Sequence, residues 1–266
     1  MKARDVIWHT KEAAERYAKM SLKFIPGAID EEHVKKYISS KRNVKIVSLG
    51  IGTGRELSWL KNFKNIKEII GIDYSKAMLM ISRRIAKTCK KKIVLIQDNL
   101  LSLKKFKTII KKEKLPIIYI CLINTLGNFK ARERERILKN IKELAKREDR
   151  VALCLYKIPE RIKTRIKLPP HIIVKGKRVK KIEINLAIEY ALNEVIWAAV
   201  TKKFKRIPRF WYEEDNRDIV TYIGRKKIFI SHRFSKEEIK KLCKTVKLKI
   251  EKIIEGKFMW VVILKI

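Results

Sequence analysis

The stretch Lys45-Ile46-Val47-Ser48-Leu49-Gly50-Ile51-Gly52-Thr53-Gly54-Arg55-Glu56 limits the fold more than any other part of the chain. Its first half is apolar and β-branched, as in a strand buried on both faces. Three glycines at alternate positions then force a sharp turn and let the backbone approach a ligand closely. Glu56-Leu57-Ser58-Trp59-Leu60 returns to helical spacing. Strand, glycine turn and helix in that order aim backbone N–H groups and a helix N-terminus at whatever lies over the turn. A second apolar segment, Glu68-Ile69-Ile70-Gly71-Ile72, ends on Asp73, whose carboxylate is placed to accept from both hydroxyls of a ribose. The pattern predicts a nucleoside-containing cofactor lying across the strand ends of a parallel sheet.

Spacing narrows the cofactor. The dinucleotide fingerprint places glycine first, third and sixth, but here the sixth position is Arg55 and the glycines fall first, third and fifth. This GxGxG turn, followed by Gly71-Ile72-Asp73-Tyr74-Ser75 and Met78, resembles the class I S-adenosylmethionine-dependent methyltransferases. The resemblance continues at Ile96-Gln97-Asp98-Asn99-Leu100, where the family has an acidic residue that meets the adenine amino group. It continues again from Ile120 to Phe129, the fourth strand and the loop beside the methyl donor. The match covers 44–157 and departs at Ser48, where the family usually has Asp or Glu.

The resemblance implies an α/β fold: a three-layer, doubly wound, seven-stranded, mostly parallel sheet whose last strand is antiparallel. It implies S-adenosyl-L-methionine as cofactor. It assigns Gly50, Gly52 and Gly54 to the amino-acid and ribose portion, Asp73 to the ribose, and Tyr74 and Met78 to the adenine edge and face. Asp98, with the backbone of Asn99 or Leu100, falls to the adenine ring. Two of these residues suit structural roles as well: Met78 fits core packing and Asp98 fits a cap on the following turn. Asn124 joins the cofactor set. Asn124 and Tyr17 are also the candidates for catalysis, although methyl transfer from a sulfonium is an in-line displacement that asks mainly for desolvation and positioning.

Four units follow in order. Residues 1–42 form an N-terminal helical cap, with one helix from His9 to Phe24 and another capped by Asp30 with Glu31 and Glu32 in its first turn. Residues 43–157 are the cofactor core: strands 44–49, 67–73, 92–97, 117–123 and 150–157 alternate with helices 55–63, 75–88, 102–114 and 130–147. The Arg132-Glu133-Arg134-Glu135-Arg136 run reads as a solvated helix face with internal ion pairs. Residues 158–234 are an insertion for acceptor recognition: an irregular basic stretch, a helix over 184–204 whose alternation also suits a strand, then short antiparallel strands. Residues 235–266 complete the core with a helix opened by the Ser235-Lys236-Glu237-Glu238 capping box and a hairpin of 247–254 and 258–265.

Composition bears on the acceptor. Lys and Arg number 66 against 28 Asp and Glu, a net charge of +38 that favours polyanionic partners such as RNA. The loop Asn124-Thr125-Leu126-Gly127-Asn128-Phe129 points elsewhere. It lacks the Asn-Pro-Pro-aromatic signature of enzymes that methylate exocyclic amines of bases, and is more similar to loops of small-molecule and amino-acid N-methyltransferases. RNA or an RNA-associated particle is therefore weighed against a small-molecule or protein acceptor. A non-catalytic binding protein is suggested only by Ser48, and a nicotinamide-dinucleotide oxidoreductase only by the general fold. The four cysteines and four histidines show no metal-ligand spacing, so no metal is expected. No signal peptide opens the chain and its apolar runs are strand-sized, which predicts a cytoplasmic protein without a membrane partner.

Overall fold

The computed structural model describes residues 10–23, 30–110, 114–158, 173–174, 177–178, 209–213, 217–223 and 226–266. Two helices, α1 (Lys11–Lys23) and α2 (Glu31–Ser39), precede β1 (Val44–Leu49). Then come α3 (Leu57–Leu60), β2 (Ile66–Asp73), α4 (Lys76–Ala86), β3 (Lys92–Gln97), α5 (Lys104–Ile110) and β4 (Ile117–Cys121). A 3-10 turn, Thr125–Asn128, leads to α6 (Ala131–Leu144) and β5 (Arg150–Tyr156). Short strands β6 (Ile173–Val174) and β7 (Lys177–Arg178) pair with each other, and β8 (Arg209–Glu213), β9 (Asp218–Ile223) and β10 (Lys226–His232) form an antiparallel sheet. Helix α7 (Lys236–Thr245) and the hairpin β11 (Lys249–Glu255) and β12 (Met259–Lys265) end the chain.

The main sheet has the order β11-β12-β5-β4-β1-β2-β3. All neighbours among β1 to β5 are parallel, whereas β12 runs antiparallel to both β5 and β11. This is the expected doubly wound, seven-stranded sheet with its antiparallel last strand. Alternation along β1 sorts its side chains into two layers. Val47 and Leu49 join Phe106, Ile137, Leu138, Ile239 and Cys243 under α5, α6 and α7, while Ile46 packs with Val34, Ile38, Leu57 and Leu60 under α2 and α3. Ser48 falls in the second layer, and that placement matters below. The chain order reverses at β1, between β4 and β2, so the carboxyl end of β1 is the switch point at which such sheets bind ligands.

Several elements differ from expectation. Helix α3 is one turn long because Asn62 and Phe63 donate to carbonyls only three residues back and β2 begins at Ile66. So short a helix contributes little dipole to the turn before it. Strand β4 stops at Cys121, since Ile123 and Asn124 take positive φ. Asp30 does not cap α2 with its side chain; the carboxylate turns away to the β11–β12 hairpin. Within the charged run on α6, Arg134 is buried and bonds to Phe129 O and Glu238, while Arg132 and Arg136 are exposed. Ser75 and Ser235 cap their helices as expected. The predicted 184–204 helix lies outside the described residues. The insertion leaves and rejoins the core at one place: Lys157 bridges Phe234, and Phe234 N donates to Tyr156 O at 2.8 Å.

Candidate cofactor site

The glycine turn is held from three sides. Gly50, Gly52 and Gly54 have φ of 75°, 55° and 77°, which L side chains rarely adopt. Gly50 N and Ile51 N donate to Ile72 O at 2.8 and 3.0 Å, tying the turn to the end of β2. The Ser82 hydroxyl of α4 donates to Gly52 O at 2.8 Å. A Cβ on Gly50 would lie 2.5 Å from Thr125 Cγ2, and one on Gly54 would lie 2.8 Å from Ser82 Oγ. A Cβ on Gly52 would meet nothing nearer than Gly50 O and Tyr17 Cε1, both at 4.0 Å. The turn is therefore packed at its two ends and roomier in the middle, beneath Tyr17, which suits a cradle for a bound group.

Asp73 closes the same turn. Its Oδ2 accepts from Gly52 N and its Oδ1 from Ser75 N, each at 2.8 Å. A carboxylate offers about four lone-pair sites, so holding the turn is compatible with accepting from ribose hydroxyls. Tyr74 beside it is 51% exposed and open to a ligand. Met78 is buried with Ala14, Ala77 and Ile81, where α1 packs on α4 next to Tyr17. In this placement Met78 is a packing residue.

Asp98 is also buried, with Oδ1 accepting from Asn99 N at 2.8 Å and Oδ2 from Phe106 N at 3.0 Å. Its backbone N–H donates to Asp73 O at 3.0 Å, which brings the β2 and β3 ends together. Asp98 thus caps the turn into α5, and Asn99 Oδ1 accepts from Leu101 N in the same loop. Leu100 is buried, its carbonyl accepting from Asn140 Nδ2.

A polar group that the sequence reading passed over lies behind the turn. Arg55 pairs with the buried Glu31 of α2, and the Ser48 hydroxyl donates to the buried Glu56. Burial pushes the Glu56 carboxyl up to about 7, against the pull of Arg55 and of the Ser48 hydrogen bond. Burial likewise pushes the Tyr17 phenol up to about 12, with Arg55 opposing and Glu56, Asp73 and Glu31 adding to the rise. Tyr17 therefore stays neutral near pH 7. The available signal was Arg55-Glu56 itself, a charge pair opening an otherwise apolar stretch.

Asn124, the other catalytic candidate, is a fastener. It is buried at φ 55°, its Nδ2 donates to Ser231 Oγ at 3.3 Å and His232 O at 3.0 Å, and its Oδ1 accepts from Tyr156 N at 3.0 Å. A Cβ on Gly127 would lie 2.3 Å from Asn124 Nδ2, so the loop closes tightly over the amide. Behind it His232 is bracketed by Asp218 Oδ1 at 2.6 Å on Nδ1 and Glu238 Oε1 at 2.7 Å on Nε2. Burial tends to raise the Glu238 carboxyl, but His232, Arg134 and Arg217 outweigh it and hold it below the usual range. This network joins the antiparallel sheet of the insertion to α6 and α7. No His, Cys, Asp and Glu grouping among the described residues could hold a metal ion.

Residues 46–148 match a methyltransferase-domain family. Among solved structures, the CcbJ methyltransferase from Streptomyces caelestis is similar with a TM-score of 0.60 at 12% identity, covering 97% of this chain and 99% of its own. An S-adenosylmethionine-dependent methyltransferase from Clostridium acetobutylicum is similar with a TM-score of 0.56 at 12% identity, over 95% and 97% of the two chains. A DhpI complex with SAM and HEP follows with a TM-score of 0.54 at 10% identity, over 95% and 92%. At these identities the likeness is one of fold. A search of curated protein sequences finds no match.

A doubly wound sheet with a glycine turn and an acidic β2 end at its switch point is a nucleoside-cofactor domain. With the family match, residues 46–148 are a methyltransferase domain with a Rossmann-like sheet, whose glycine turn and Asp73 suit S-adenosylmethionine. The sixth-position Arg55 agrees with that choice over a nicotinamide dinucleotide. S-adenosylhomocysteine should accordingly raise the melting temperature in a thermal-shift titration, as ligand linkage requires. Stabilisation by NAD in its place would overturn the cofactor assignment.

Proposed function

We propose that the enzyme methylates RNA or an RNA-associated particle. The observation that carries this reading is the one-sided charge, 66 basic against 28 acidic residues. A protein selected only for solubility or ion-pair networks has no need of such an excess, whereas a phosphate backbone rewards it through counterion release. On the fold, Arg83, Arg84, Lys87, Lys90 and Lys92 are exposed along α4 and into β3, and Lys104 and Lys105 at the start of α5. In sequence, Arg161, Lys163, Arg165, Lys167, Lys175, Lys177 and Arg178 add a second basic stretch in the insertion.

The cofactor brings an activated methyl group on a sulfonium, so the chain's own work is binding, orientation and exclusion of water. Gly50, Gly52 and Gly54 present backbone to the amino-acid and ribose portion, and Asp73 accepts from the ribose. Tyr74, Asp98, Asn99 and Leu100 border the adenine. Tyr17 lies over the turn as a neutral phenol. Asn124 fixes the loop at the β4 end. Residues 158–234 select the acceptor, because the core repeat is committed to the cofactor. Phe210, Trp211 and Tyr212, in sequence on β8, are candidates in that region for stacking on bases.

A labelled methyl-transfer assay that offers total RNA, protein extract and metabolites in parallel tests this directly. Label in RNA is expected, and label confined to metabolites or protein overturns the reading. Neutralising Arg161, Lys163, Arg165 and Lys167 together should weaken RNA binding and flatten its salt dependence by roughly one unit of slope per lost phosphate contact. Affinity for S-adenosylhomocysteine should not change. An unaltered salt slope would mean that these basic residues touch no phosphate.

A further inference from the structure

Glu56 is a buried carboxyl whose neighbouring cation is committed elsewhere. It is 5% exposed, and the donors on its side chain, the Ser48 hydroxyl and its own backbone N–H, are both neutral. The cation beside it, Arg55, hydrogen-bonds Glu31 of α2 instead. The other titratable groups that face it are Glu31 from α2, whose negative charge adds to the rise of the Glu56 carboxyl, the neutral Tyr17 phenol from α1, and the Cys121 thiol from β4, which burial pushes up to about 12 with Glu56 adding to the rise. A carboxylate so placed is costly to ionise and gains by meeting a positive group. It lies two residues beyond Gly54, in the same layer as Ser48, where the resembled family usually carries its acid.

We infer that Glu56, held by Ser48, is the positioning residue for the ammonium group at the amino-acid end of the cofactor, supplying from the turn the carboxylate that β1 lacks. This inference rests on the methyltransferase reading. An ammonium favours the ionised carboxylate, so binding drives a proton off Glu56. The sign follows from the carboxyl standing near 7 in the free protein: below that pH it must lose its proton for the ligand to bind, above it the proton is already gone. Affinity therefore rises with pH through neutrality. From pH 6 to pH 7.5 the ionised fraction of such a group grows roughly eightfold, which sets the scale of the gain.

Calorimetry with two probes separates this role from a structural one. S-adenosylhomocysteine carries the ammonium, and 5′-methylthioadenosine lacks the whole amino-acid end. Glu56→Gln keeps the shape and the Ser48 contact but removes the charge. It should weaken S-adenosylhomocysteine about tenfold at pH 7.5, abolish the pH dependence, and leave 5′-methylthioadenosine unchanged. Ser48→Asp in the Glu56→Gln background should restore much of the affinity. If Glu56→Gln leaves both affinity and pH profile intact, or weakens the two probes equally, the inference is wrong. If the wild-type protein binds neither probe, the methyltransferase reading falls and the inference with it.

Discussion

Replacing Asp73 with alanine should lower affinity for S-adenosylhomocysteine by roughly ten- to more than a hundredfold, the range for losing hydrogen bonds to a charged group worth about 1.5–3 kcal/mol. Two effects combine. The carboxylate proposed to accept from the ribose is gone, and so is the acceptor that holds Gly52 N and Ser75 N at 2.8 Å. The first loss acts on the complex alone. The second loosens the turn in the free protein too, because Gly52 loses its tie to the end of β2. The upper end of the range is therefore expected in titration calorimetry, with a modest fall in melting temperature. Asp73→Asn tells the two apart, since an amide oxygen can accept from one N–H but carries no charge. Unchanged affinity in Asp73→Ala would show that the end of β2 does not meet the ribose.

The fold and the cofactor turn were legible because both rest on local patterns. β-Branched apolar runs at regular spacing reported β1 to β5, and the GxGxG turn reported the crossing from β1 to α3. The antiparallel insertion sheet showed in its aromatic, turn-punctuated sequence. What escaped were single polar side-chain contacts made across long sequence separation. Asn124 looked like a residue presented to substrate, yet its amide serves Tyr156, Ser231 and His232. Arg134 sat in an alternating charge run typical of a wet helix face, yet it is buried against Glu238, 104 residues away. Ser82 gave no signal at all, though its hydroxyl shapes the glycine turn.

These long-range fasteners share a physical logic. A loop that borders a cofactor must leave some backbone groups for the ligand, so the chain cannot satisfy them internally by secondary structure. The groups not given to the ligand are taken by side chains from distant elements. Asp73 and Ser82 do this for the glycine turn and Asp98 for the start of α5, while Asn124 reaches out of the β4 loop to Tyr156 N and His232 O. Sequence patterns of period two or 3.6 carry no trace of such pairings, because each involves a single polar residue. Burial and hydrogen bonding are what expose them.

The same logic gives the largest expected loss of stability. Asp30 is 2% exposed, and its carboxylate accepts from Lys257 N at 2.8 Å, Phe258 N at 2.7 Å and Met259 N at 2.8 Å. Three successive N–H groups at the β11–β12 turn thus converge on one anion, and Gly256 leaves it room, since a Cβ there would lie 2.4 Å from Asp30 Cγ. Asp30→Ala removes a charged acceptor and leaves buried donors behind. A single hydrogen bond to a charged group contributes about 1.5–3 kcal/mol and three do not simply add, so the expected cost is about 3–5 kcal/mol. For a chain of this size that lowers the melting temperature by roughly 10 °C or more. The consequence should reach the sheet, because β12 lies between β5 and β11 and its pairing with β5 starts at Met259. Asp30→Asn should recover only part of the loss: its amide retains one oxygen acceptor but turns an N–H toward the remaining donors. Hydrogen exchange should place the opened amides at the hairpin and along β12. If Asp30→Ala melts within about 2 °C of the parent protein, the hairpin holds its own turn and α2 is joined to the core by Val34, Ile38 and the Arg55–Glu31 pair without help from Asp30.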